Sequence, residues 1–142
     1  RPVFVESESK KIGRLQLPDA LINHMHAQGR VLRVEMPDAA RVQLLLEEYG
    51  FFASDVDGVC RLLDGLVALR GRETVQRWQA QARVGDWATV FSDMMLAHYD
   101  PLYNRSMDRH YAGYAQARQV ELADGSAPVL ADAARSLLTD PT

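Results

Sequence analysis

The sequence predicts an α/β chain that turns mostly helical: two β-α units of a parallel sheet over residues 1–50, then a helical bundle over residues 51–142. Three observations carry this. Short apolar runs rich in β-branched residues, Val3–Val5 and Arg30–Met36, each precede a stretch with helix start and stop signals. The connections between them are short, as in βα units. Beyond Gly50 the apolar residues recur only at helical spacing.

The elements follow in order. Val3-Phe4-Val5 reads as a buried strand that ends in Glu6-Ser7-Glu8-Ser9-Lys10-Lys11, with a loop through Gly13. A buried parallel strand needs neighbours on both sides. A strand at this place therefore predicts that the chain is a piece of a larger enzyme, open at one sheet edge and able to dimerise there. Asp19 is a helix cap ahead of Ala20–Gln28, and Gly29 stops that helix. Arg30–Met36 is the second strand. Pro37 and Asp38 end it and start a helix over Ala39–Tyr49, closed by Gly50. Asp55 or Asp57 caps a helix to Arg70, with Val59, Leu62, Leu63, Leu66, Val67 and Leu69 on its apolar face. Arg72–Arg83 and Trp87–Tyr99 are further helices, separated at Gly85. Asp100-Pro101 interrupts the second, since proline biases its predecessor away from α, and Leu102–His110 resumes. Gln119–Leu122 is a candidate final strand, and Val129–Leu138 a last helix.

Composition narrows the function classes. Net charge is −3, which argues against indiscriminate nucleic-acid binding but leaves room for a local basic patch. No apolar run is long enough to cross a membrane. Cys60 is the single cysteine, so no internal disulfide forms and a cytoplasmic location is the expectation. It sits on an amphipathic helix and reads as a small buried hydrophobe. His24 and His26 lack the spacing of a helical metal pair, so zinc is not expected.

The candidate site residues fall in four groups. Glu6, Ser7, Glu8 and Ser9 lie where a strand ends, the place at which open α/β sheets bind ligands. Read from chemistry alone, they serve equally as a solvated loop. Lys10, Lys11 and Arg14 form the densest basic cluster and suit phosphate groups. Arg41 is unfavourable near a helix N-terminus, so it calls for a phosphate or a tertiary carboxylate. Tyr99, Tyr103, Tyr111 and Tyr114 surround Arg105, Arg109 and His110. Interleaved rings and guanidinium groups stack RNA bases and bind phosphates, while each tyrosine taken singly fits ordinary packing.

Several stretches then belong together: Phe4-Val5-Glu6-Ser7-Glu8-Ser9-Lys10-Lys11-Ile12-Gly13, Leu17-Pro18, Arg41 with Leu45-Leu46-Glu47-Glu48-Tyr49, and Tyr99-Asp100-Pro101-Leu102-Tyr103. In this order and spacing they resemble the C-terminal half of tRNA 2-selenouridine synthase, from about Val3 to about Glu121. The resemblance implies that residues 1–50 are the end of a P-loop-like domain. It implies an intact enzyme with a rhodanese domain and a Walker A loop upstream, acting on the anticodon wobble uridine of tRNA. In that family 2-thiouridine is S-geranylated with geranyl diphosphate, and selenium from selenophosphate then replaces the geranyl-thio group. It also tips Glu6 and Glu8 toward the pocket. The chain carries no Gly-x-x-x-x-Gly-Lys-[Ser/Thr] loop, and Cys60 is not the rhodanese thiol, so the chain alone is expected to be inactive, with no catalytic residue, metal or cofactor of its own. The alternative is a stand-alone helical module that docks a protein partner.

Overall fold

The computed structural model describes residues 3–7 and 10–139. They form two compact units, the chain leaving and re-entering each.

The first unit takes the described residues up to Glu35, then Leu102–Leu122, and the chain from Ala127. It opens with a small antiparallel hairpin, β1 (Lys11–Ile12) and β2 (Leu15–Gln16). The two-residue turn is Gly13-Arg14, and Gly13 has φ +59°, the region a primed hairpin turn requires at its first central position. The Leu17 N–H closes the hairpin on the Lys10 carbonyl at 2.7 Å. Helix α1 (Asp19–Gln28) follows, then β3 (Leu32–Glu35). Asp19 lies in the first turn of α1 behind Pro18 and does not cap it with its side chain. There it sits 3.1 Å from Lys10 Nζ and suits the positive end of the helix dipole.

The parallel partner of β3 is β4 (Arg118–Glu121), in register Leu32 with Arg118 through Glu35 with Glu121. The Leu122 N–H extends the ladder to the Glu35 carbonyl at 2.8 Å. The late strand expected from Gln119–Leu122 is thus present, one residue earlier. The strand expected over Val3–Val5 is not formed: these residues pair with no strand among the described residues and are exposed, Val3 at 83%. β-branched residues favour extended backbone, but only a neighbouring ladder converts that into a strand. The core of this unit is Met107, Tyr111 and Tyr114, with Val31 packed against them. Tyr114 donates its hydroxyl to Asn104 Oδ1 at 2.7 Å, and the Arg33 guanidinium lies 4.8 Å from its ring centroid.

The second unit spans Met36–Pro101 with Ala123–Ser126. It is helical: α2 (Asp38–Glu48), a 3₁₀ turn (Gly50–Ser54), α3 (Val56–Asp64), α4 (Val67–Arg70), α5 (Arg72–Arg83) and α6 (Trp87–Met94). The helix expected from Asp55 to Arg70 is divided at Gly65-Leu66 into α3 and α4. Asp55 does cap α3, accepting from the Gly58 N–H at 2.8 Å. Helix α5 has the expected bounds. Val59, Leu63, Val75, Trp78, Ala82 and Val90 make one buried cluster, with Trp78 fully enclosed. Cys60 is buried as well.

The expected break at Asp100-Pro101 does not occur. A π turn over Met95–Tyr99 leads directly into α7 (Asp100–His110). The Asp100 N–H reaches five residues back to the Met95 carbonyl. That wider turn falls just ahead of Pro101, where an α turn would press the proline ring against the carbonyl four residues back. The last helix, α8 (Ala127–Thr139), belongs to the first unit.

The described residues are therefore mostly helical, with one small parallel sheet.

Candidate functional site

In the first unit a cleft of about 190 Å³ lies beside α1 and α7. Three of the sequence-predicted residues, Glu6, Ser7 and Lys10, line it together. Its apolar wall is Ile22 and Met25 of α1 with Met107 of α7. The pairing follows from helical spacing, Ile22 and Met25 being three apart on one face. The Ser7 hydroxyl donates to Met107 Sδ at 3.4 Å and lies beside the Tyr111 phenol. Burial pushes the Tyr111 phenol above its ordinary range, with Ser7 acting in the opposite direction.

The remaining wall is His26, Ser106 and His110. Sequence reasoning gave the first two no site role and placed His110 only as a neighbour of the tyrosines. The two imidazoles stack with centroids 4.8 Å apart and planes 22° from parallel. Tyr111 meets His26 edge-on at 5.0 Å. His110 Nδ1 is 2.8 Å from the Ser106 carbonyl, one turn back. A carbonyl only accepts, so Nδ1 carries the proton of this bond. The signal available in sequence was the i, i+4 pair Ser106/His110 on α7. Nothing there points to His26, which lies 84 positions before His110.

The other predicted residues distribute as follows. Lys11 and Arg14 sit on the hairpin, exposed, and do not line the cleft. Tyr103, Arg105 and Arg109 are exposed on α7 in the first unit. Tyr99 is 60% exposed in the second unit and contacts His98 edge-on at 5.0 Å. Tyr111 and Tyr114 are buried core rings, not an exposed platform. Glu8 and Ser9 lie outside the described residues.

Arg41 has its tertiary carboxylate. Its guanidinium grips Asp100 with two parallel bonds, NH1 to Oδ2 at 2.8 Å and NH2 to Oδ1 at 2.6 Å. Asp38 adds a third interaction at 3.3 Å. The Asp100 bonds hold the Arg41 proton more tightly than usual. In the same unit, Arg70 Nε donates to Nδ1 of buried His98 at 2.7 Å. Burial, reinforced by the Arg70 charge, keeps that imidazole below its ordinary range and neutral.

Among the described residues no group of three or more His, Cys, Asp or Glu is placed to hold a metal. No described helix is long and apolar enough to cross a membrane.

Residues 1–56 match the family model described as the tRNA 2-selenouridine synthase AAA domain. Neither a curated protein nor a solved structure matches the chain.

Proposed function

We propose, from the premise that residues 1–56 belong to the tRNA 2-selenouridine synthase AAA domain family, that this chain serves a tRNA-modifying transferase by supplying substrate-pocket and tRNA-docking surface. The reaction is conversion of wobble 2-thiouridine to 2-selenouridine through an S-geranyl intermediate, with geranyl diphosphate and selenophosphate as co-substrates. The observation that carries the reading is the family match together with the cleft that gathers Glu6, Ser7 and Lys10 from the matched segment.

In this reading residues 1–50 are the end of a P-loop-like domain and residues 51–142 a helical domain. Lys10, Lys11 and Arg14 hold phosphate, as ammonium and guanidinium groups do without reading sequence. Glu6 and Ser7 face the substrate. Tyr103, Arg105 and Arg109 on α7, with Tyr99, dock the anticodon region. Arg41 acts one step back by fixing Asp100 at the start of α7. The phosphate-cradling loop and the selenium-carrying thiol are assigned to other parts of the enzyme, since the chain has neither motif.

The test is binding of an anticodon stem-loop RNA by the intact enzyme. The Lys10→Ala/Lys11→Ala variant should bind more weakly, and the slope of log K against log salt should shrink by roughly 2, at about 0.9 for each phosphate no longer neutralised. Unchanged affinity at physiological salt contradicts the role given to these lysines.

A further inference from the structure

We infer that the His26–His110 pair is a stacking wall for a nucleobase, and that the cleft beside it takes an unstacked pyrimidine-sized ring. This rests on the RNA reading above and moves base recognition from the tyrosines to the histidines.

The geometry has three parts. First, the imidazoles are already stacked, 4.8 Å apart and 22° from parallel, so the cleft presents a pre-formed aromatic column. Preorganised rings avoid the ordering cost that flexible side chains carry on binding. Second, the column is fixed from both ends. Tyr111 holds His26 in an edge-to-face contact at 5.0 Å, and the Ser106 carbonyl holds His110 by its Nδ1–H at 2.8 Å. Third, His110 is exposed although His26 covers one of its faces, so the column is not sealed inside the core. Histidine is among the side chains on which splayed RNA bases stack.

The rest of the lining suits a heterocycle. Met25 and Met107 are polarizable thioethers, which meet aromatic rings favourably. Glu6 and Ser7 supply an acceptor and a hydroxyl for the ring's edge atoms. The volume, about 190 Å³, accommodates one such ring and not a run of bases.

The test is NMR titration of the full chain with uridine 5′-monophosphate, with ribose 5-phosphate as the base-less control. A stacked pyrimidine should move the imidazole protons of His26 and His110 upfield by ring current, and ribose 5-phosphate should not. His110→Ala should weaken uridine 5′-monophosphate binding about 5- to 150-fold, the range of one base–aromatic stack. His110→Phe, which keeps an aromatic face, should retain most of the binding. Melting of each variant checks that it folds. Equal shifts from both probes, or binding by His110→Ala at the wild-type level, overturns the inference, as does failure of uridine 5′-monophosphate to move either ring at millimolar concentration. The two readings fail separately. Lysine-dependent stem-loop binding without imidazole shifts sinks the stacking wall alone. Imidazole shifts without stem-loop binding uphold it and sink the tRNA reading.

Discussion

Trp78→Ala should destabilise the helical unit by about 3–5 kcal/mol, the usual cost of removing a large aromatic side chain from a packed core. Trp78 is fully enclosed and central to the cluster of Val59, Leu63, Val75, Ala82 and Val90. Helices α3, α5 and α6 all contribute to that cluster, so no single helix can close the void. Its Nε1 has no hydrogen-bond partner among the described residues. The stabilisation is therefore apolar packing, against a polar atom already left unsatisfied. Trp78→Phe, which keeps a ring and removes that N–H, should lose less than half as much. Urea unfolding followed by the fluorescence of Trp87, which remains in both variants, reads the difference. Equal losses for alanine and phenylalanine would show that an aromatic ring at position 78 does not fill this core.

Arg41→Ala should cost about 1–2 kcal/mol. Hydrogen bonds to charged groups contribute about 1.5–3 kcal/mol, and partial exposure lowers that. Arg41 and Asp100 are 34% and 27% exposed, so solvent screens the pair in part. The two parallel bonds at 2.6 and 2.8 Å are the feature that lifts it above an ordinary surface pair. A double-mutant cycle with Asp100→Ala should return a coupling of at least about 1 kcal/mol. Additive single losses would mean that the guanidinium does not fix Asp100. Lysine at position 41 should recover little, because it cannot make the planar two-bond grip.

The helices were the most legible part of the chain. Arg72–Arg83 lies between glycines, carries Val75, Trp78 and Ala82 on one face, and folds with those bounds. Asp55 was recognisable as a cap because its side chain needs only the next turn. Pairing was less legible. Val3–Val5 and Leu32–Glu35 both look like strands in sequence, yet only the second finds a ladder, on residues 86 positions later. Periodicity describes a segment's faces, not its neighbours. The Asp100-Pro101 break followed from proline's conflict with an α turn, and the π turn removes that conflict without ending the helix.

The site divides along the same line. Glu6, Ser7 and Lys10 were visible as a dense polar cluster and converge on one cleft. Arg41 was visible as a charge in the wrong place on its helix, and Asp100 is its tertiary answer. His26 and His110 were legible only as histidines without metal spacing, because their stacking depends on α1 meeting α7.

Participation of this chain in 2-selenouridine formation is tested most directly by nucleoside mass spectrometry. The tRNA comes from cells that lack this modification, supplied with selenium and expressing the full-length protein. The expected result is 2-selenouridine at the wobble position, and much less of it when Lys10 and Lys11 are alanine. Only 2-thiouridine, with the folded enzyme present, would contradict it.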